Sequence, residues 1–124
     1  MIVKVENLKP IKKSRILVAD LPAQEVLDPD MEILKPMVLK IEEVQYLEQG
    51  IFDSPTEYSV SFYLFDLNER DERYYVGVGY NLDEAVDDLL WFIYEELELL
   101  TEREKDLSDF MMKVKNKLST YVRI

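Results

Sequence analysis

The chain contains neither cysteine nor histidine. Without cysteine it has no disulfide framework, no thiolate nucleophile and no thiol metal site, so we expect a reducing compartment and predict a cytoplasmic location. Without histidine it lacks the usual general base and the commonest transition-metal ligand. An enzyme would have to work with carboxylates, lysine, serine, threonine or tyrosine alone. We therefore predict that the protein is not an enzyme and that it needs no cofactor or metal.

Glycine and long apolar runs are also scarce. Only three glycines occur, and no apolar run approaches the ~18 residues that a membrane-spanning helix needs. The first residues lack the basic start, apolar stretch and small-residue cleavage site of a signal peptide. Because 48% of the 124 residues are hydrophobic, we expect one folded domain over residues 1–124 with a modest core.

The net charge of -11 is concentrated in the middle of the chain. Residues 41–109 carry twenty acids and four bases, whereas residues 1–40 are close to neutral and residues 110–124 carry four bases and no acid. An acidic surface repels nucleic acid phosphate and attracts basic proteins. We therefore expect a basic protein partner rather than direct nucleic acid binding or membrane association, although surface acid also serves solubility alone.

Prolines divide the first part of the chain. Four of the five lie within residues 1–36, which favours an irregular segment with short or edge strands, the first of them at residues 2–6. The basic cluster of Lys9, Lys12, Lys13 and Arg15 is typical of a solvated turn.

Alternating side chains predict a sheet over residues 37–80. In the first strand, the adjacent Glu42 and Glu43 shift the alternation, which indicates a β-bulge. A second strand begins at Tyr58 and a third at Tyr74, with a charged connector between them. On the third strand Gly77 and Gly79 share one bare face, which favours close approach of a helix.

Residues 81–121 show two helical patterns. Asn81 is placed to cap the first helix, with Glu84 completing a capping box. The buried side of this helix is predicted from apolar residues three and four apart: Leu82, Val86, Leu89, Leu90, Ile93, Leu97 and Leu100, widened by Phe92 and Leu99. A second helix follows a break between Leu99 and Ser108, because one continuous helix would be about 55 Å long.

A second stripe on the first helix is the candidate functional site. Positions three and four apart share a helix face, and Trp91 lies in the middle of a set of acids on that face. Tryptophan is enriched where proteins bind one another, and an acidic rim suits a basic partner. The alternative is that Trp91 packs under the N-terminal segment. The predicted partner-binding residues are Glu84, Asp88, Trp91, Glu95, Glu98 and Glu102.

Residues 58–100 resemble the HicB-like antitoxin family. The family has a strand pair followed by a Gly-x-(Thr)-Leu-Glu-Glu-Ala-Leu helix start, which Gly79 and the residues Leu82-Asp83-Glu84-Ala85-Val86 match. The family's Pro-Asp-Leu-Pro-Gly-type segment is missing, and residues 101–124 are too short for its helix-turn-helix module. The resemblance implies an antitoxin-like inhibitor without DNA binding that neutralises a basic RNA-cleaving toxin, or a stand-alone member of the family with a different partner.

The sequence thus predicts an α+β fold, in which an antiparallel sheet of three to five strands carries one long amphipathic helix on a face and a second helix at the C-terminus. The predicted function is a non-enzymatic acidic protein-binding domain. Three alternatives stay open: a viral or phage inhibitor that mimics nucleic acid, a small carboxylate- or metal-dependent hydrolase, and a structural subunit whose second helix drives homodimer formation.

Overall fold

A computed structural model describes residues 11–47, 56–66 and 68–124 of the chain, without the side chains of residues 11–13, 46 and 47. The elements follow in chain order: β1 (Ile11–Leu21), β2 (Gln24–Val26), β3 (Met31–Ile33), β4 (Met37–Leu47), β5 (Thr56–Tyr63), β6 (Tyr74–Gly79), α1 (Leu82–Glu102), a 3-10 turn (Glu104–Asp106), α2 (Asp109–Tyr121) and β7 (Val122–Arg123).

The strands form two antiparallel sheets. The larger has the order β1-β4-β5-β6, and the smaller has the order β2-β3-β7. Both α1 and α2 pack on these sheets, so the predicted α+β class with one long and one C-terminal helix is confirmed. The smaller sheet was not expected. Its members are only two or three residues long, and β7 pairs with β3 from the far end of the chain, a contact that local patterns do not reveal.

The core lies between α1 and one face of the larger sheet. Strand register places Leu39, Val60 and Tyr75 on this face, and all three are buried. The smaller sheet and α2 extend the same core through Ile33 and Leu118. Burial of these apolar side chains is the main force that holds the elements together.

Two glycines allow α1 to lie against β6, as predicted. A methyl group on Gly77 would stand 2.2 Å from the Ala85 carbonyl oxygen and 2.3 Å from the Leu89 nitrogen. A methyl group on Gly79 would stand 2.7 Å from the Ala85 nitrogen. All three distances are far below van der Waals contact, so the helix backbone occupies the space where side chains would lie.

Helix α1 begins at the predicted cap. The Asn81 Oδ1 accepts a hydrogen bond of 2.9 Å from the Glu84 backbone N–H. The Glu84 carboxylate, however, accepts from the Tyr80 backbone N–H and not from that of Asn81, so it reaches one residue further back than in a standard capping box.

The predicted break between the helices is confirmed. Helix α1 ends at Glu102, and α2 begins after Ser108, whose Oγ accepts from the Met111 N–H. The Thr101 hydroxyl donates to the Leu97 carbonyl within the last turns of α1.

The buried side of α1 is narrower than predicted. Ala85 and the leucines and isoleucine at 89, 90, 93, 97 and 100 are buried. Leu82, Phe92 and Leu99 are exposed, with 51% of Phe92 in contact with solvent. The sheet face ends before it reaches these positions, because α1 lies over β6 and β5 at one side of the larger sheet.

Two sequence predictions for the sheet are wrong. The register of β4 is regular against both neighbours, so no bulge occurs at Glu42 and Glu43. Lys12, Lys13 and Arg15 lie within β1, a regular strand of eleven residues, and not in a turn. Pairing with β4 supplies hydrogen bonds along the whole of β1, which outweighs the local turn signals. The strand predicted at residues 2–6 lies outside the described residues.

Within the part of the chain that the structure describes, no helix combines the length and apolar character required to cross a membrane.

Candidate functional site

The outer surface of α1 carries the predicted site. The six predicted residues lie on the side of the helix opposite the buried leucines, and Trp91 keeps 39% of its surface exposed. The six residues share one face because they follow one another at spacings of three and four residues. The buried positions lie between them in sequence and therefore on the opposite side of the helix. The structure divides the stripe into two parts with different surroundings.

Glu84 and Asp88 face the edge of the larger sheet. The Asp88 Oδ2 accepts a hydrogen bond of 2.9 Å from the Val78 backbone N–H, and the Glu84 Oε2 accepts one of 3.0 Å from the Tyr80 N–H. Because β6 is an outer strand of the sheet, these backbone groups have no neighbouring strand among the described residues. The two carboxylates therefore cover the outer edge at the C-terminal end of β6, a structural role that helical spacing alone does not reveal.

Trp91, Glu95, Glu98 and Glu102 form the outward part of the stripe. The Trp91 ring packs edge-on against Tyr94, with 5.7 Å between ring centroids. Hydrogen bonding to Glu98 and the negative charge of that carboxylate raise the pKa of Tyr94. The contact with Tyr94 restricts the Trp91 ring while leaving much of its surface accessible.

None of the stripe acids is neutralised by a basic residue of the described chain. The ion pairs that the described residues form involve other acids: Glu32, Glu43, Glu69, Asp71, Glu96 and Glu104. The outer surface of α1 thus has uncompensated negative charge around an accessible aromatic ring. This combination suits a partner that brings positive charge and an apolar or cationic group for the ring.

A groove beside this surface was not predicted. It has a volume of about 470 Å³ and lies between β1 and the first turns of α1. Leu39 and Ile41 form part of its apolar lining, and Asp83 and Asp87 of α1 bring carboxylates to it. The groove exists because α1 lies toward β6 and leaves the β1 side of the sheet uncovered, which depends on tertiary packing alone.

The groove is continuous with the acidic stripe. Asp87 lines the groove and lies four residues before Trp91, so the two positions are neighbours along α1. Within the described residues, no three carboxylates are grouped so that they could hold a metal ion. The groove therefore offers a concave apolar surface with acidic margins next to the accessible Trp91.

An ionic cluster apart from the acidic stripe anchors the connector between β5 and β6. Arg73 forms an ion pair with Glu96 of α1, and its guanidinium lies 5.7 Å from the centroid of the Tyr75 ring. Burial raises the pKa of Tyr75, and the neighbouring Arg73 guanidinium partly opposes this effect. The Glu96 side chain is largely buried and paired, so this cluster fixes the helix to the sheet and presents no free charge.

No protein-family model matches this chain, and neither a curated protein nor a solved structure matches it. The resemblance of residues 58–100 to HicB-like antitoxins therefore stays a prediction from sequence.

Proposed function

We propose that the protein is a non-enzymatic binding domain whose acidic α1 surface docks a basic protein partner. The observation that carries the proposal is the accessible Trp91 among carboxylates that no described basic residue neutralises. Like charges held close together repel one another and lower stability, and a basic partner would relieve that repulsion. The adjoining groove adds a concave apolar surface for the same partner.

The division of the stripe refines the expected binding residues. Glu84 and Asp88 already accept backbone hydrogen bonds from β6, so they contribute charge but are held in place. Glu95 and Glu102 are exposed, with no hydrogen bond or ion pair to another described residue. We infer that Trp91, Glu95 and Glu102 make the direct contacts and that the groove acids extend the attractive field.

An antitoxin of HicB-like type is the finer form of this proposal. It rests on the Gly79-Tyr-Asn-Leu-Asp-Glu-Ala-Val sequence and on the acidic helix that follows the strand pair. In that case the partner is a small basic RNA-cleaving protein. An inhibitor that mimics nucleic acid has the same charge requirement, and its partner would be a nucleic-acid-binding protein.

The test is partner capture followed by titration of variants. The purified protein is used to capture basic proteins from its native lysate at low salt, and the affinity of the recovered partner is then measured by calorimetry. Trp91→Ala is expected to weaken binding by more than ~1 kcal/mol, which is about fivefold or more in the dissociation constant.

Phe92→Ala is the matched control for this test. Phe92 is an exposed aromatic residue next to Trp91 in sequence, but it lies about 100° away around the helix. We expect its replacement to leave partner affinity unchanged. If Trp91→Ala binds as tightly as Phe92→Ala and both unfold at the wild-type temperature, the α1 surface is not the binding site.

The captured partner also distinguishes the two finer forms. A small ribonuclease whose RNA cleavage stops on addition of the protein supports the antitoxin form. A DNA- or RNA-binding protein that releases its nucleic acid supports the mimic.

A further inference from the structure

The two outer strands of the larger sheet differ in the hydrogen-bond partners that their outer edges have among the described residues. At β6 the side chains of Glu84 and Asp88 accept hydrogen bonds from backbone N–H groups of the outer edge. At β1 the described residues provide no partner on the side away from β4. Proteins usually protect exposed strand edges, so an unprotected edge indicates a pairing surface.

Strand β1 has several features that favour edge pairing, and its charged residues lie on either side of an apolar centre. It is eleven residues long, contains no proline, and runs in regular register with β4. Ile16, Leu17 and Val18 at its centre are exposed on both faces of the sheet, with 57% of Ile16 and 71% of Val18 in contact with solvent. A long, regular edge with an apolar centre can pair with another strand when the charges on either side of that centre are matched.

We propose that β1 pairs antiparallel with β1 of a second copy of the chain to form a two-fold symmetric dimer with one eight-stranded sheet. Paired residues in an antiparallel ladder lie on the same face, so the two position numbers of every symmetric pair must sum to an even number. A sum of 32 places Ile16 on the two-fold axis, and this register alone overlaps all eleven residues from Ile11 to Leu21.

Charge placement favours the same register and a second copy as the occupant. With Ile16 on the axis, position 12, a lysine, lies opposite Asp20 of the second copy, and symmetry repeats this pair at the other end. Strand β1 carries three bases and one acid, although the whole chain has a net charge of -11. The edge is therefore the part of the sheet least affected by repulsion between copies.

The geometry also separates the acidic helices of the two copies. Each α1 lies beside β6, so the two β6 strands would be seven strand spacings apart, about 33 Å. This exceeds the Debye length of about 8 Å at physiological ionic strength, so repulsion between the helices is screened. The dimer leaves Trp91 accessible, and it does not depend on the binding function proposed above.

Disulfide trapping tests the dimer directly, because the chain has no cysteine of its own. Directly opposed residues in an antiparallel pair have Cα atoms about 4.5–5.5 Å apart, within the range that a disulfide bridges. We expect Ile16→Cys to form a disulfide-linked dimer rapidly on mild oxidation of the full-length protein. Val38→Cys is the matched control, since it has the same exposure (58%) on the same sheet face but lies on the inner strand β4.

Sedimentation equilibrium of the untagged protein at micromolar concentration provides the second readout. We expect a dimer for the wild-type chain and for Val38→Lys. Ile16→Lys places two like charges opposite each other on the axis, and we expect dimer affinity to fall about tenfold. Lys12→Asp and Asp20→Lys should each weaken the dimer, and the double charge exchange should restore it.

Three results would overturn the proposal. A monomeric wild-type protein that pairs only with peptides of other proteins would show that β1 serves a different partner. Equal oxidation rates for Ile16→Cys and Val38→Cys would exclude a two-fold axis at Ile16. Failure of the charge exchange to restore the dimer would exclude the register in which positions sum to 32.

Discussion

At the scale of single residues, Gly77 is the position with the least freedom to change. A Cβ at this position would contact the Ala85 oxygen and the Leu89 nitrogen, which belong to the helix backbone and cannot rotate away. Adding a methyl group would force α1 from the sheet and disrupt the packing of Leu89. We expect Gly77→Ala to reduce the free energy of unfolding by about 3 kcal/mol, measured by urea denaturation.

Val78→Ala is the control for this substitution. Val78 is the next residue of β6 and its side chain lies on the opposite, exposed face of the sheet. Its replacement should cost less than about 1 kcal/mol, because little buried area is lost. Equal costs for the two variants would mean that the helix does not approach β6 at Gly77 as closely as the structure shows.

Residue-level signals in the sequence were informative where the interaction is local. The Asn81 cap and the small residues at positions 77 and 79 were predicted because a cap needs only the next three residues and a bare strand face needs only alternation. The partly buried pair of Arg73 and Glu96 was not predicted. These residues are 23 positions apart, and only the packing of α1 on the sheet brings them together.

At the scale of elements, α1 and β6 form a unit that depends on two carboxylates. Asp88 accepts a hydrogen bond from the Val78 N–H at the edge of the strand, in addition to the apolar contacts of the helix. We expect Asp88→Ala to lower the free energy of unfolding by about 1 kcal/mol and to increase concentration-dependent association, since the β6 edge would then be exposed. Chemical denaturation and light scattering measure the two effects.

The neighbouring residue provides a control for the role of Asp88. Asp87 is exposed on the same turn and forms no hydrogen bond or ion pair with the described residues. Its replacement by alanine removes the same charge and should change the free energy of unfolding by no more than about 0.5 kcal/mol. Asp88→Asn keeps an acceptor oxygen, so its free energy of unfolding should lie between those of Asp88→Ala and Asp87→Ala. A destabilised Asp87→Ala would show that helix-dipole charge, and not the strand edge, accounts for the effect.

Element prediction from sequence succeeded for α1 and α2 and failed for β1. Helices are specified by periodicity and caps within one segment, and both helix starts follow those signals. Strand β1 is specified by pairing with β4, whose residues are 16 to 36 positions away along the chain. The acidic stripe was predicted because it follows helical spacing, whereas the groove beside β1 depends on where the helix lies on the sheet.

At the scale of the whole molecule, positive and negative charge are separated in space. Helix α1 carries eight acids and no base, while β1 and α2 carry three bases each and one acid each. The ion pairs of the described residues are mostly at the surface, where each contributes little. Uncompensated repulsion among the remaining carboxylates therefore opposes folding in the absence of a partner.

Salt should stabilise the isolated protein for this reason. The chain has eleven more acidic than basic residues, so repulsion between exposed carboxylates outweighs attraction within surface ion pairs. Salt screens both effects, and the larger gain in stability comes from the reduced repulsion. We expect the free energy of unfolding to rise by about 1 kcal/mol between low and high sodium chloride, roughly 4 °C in the unfolding midpoint. Scanning calorimetry at matched pH measures this shift of the unfolding midpoint.

Replacing Glu95, Glu98 and Glu102 by glutamine changes the net charge from -11 to -8. This replacement should raise the low-salt unfolding midpoint and reduce its dependence on salt. Lys105→Gln, which takes the charge to -12, should act in the opposite direction. A midpoint that falls with salt in all three proteins would mean that ion pairs, and not surplus acid, govern the stability of the fold.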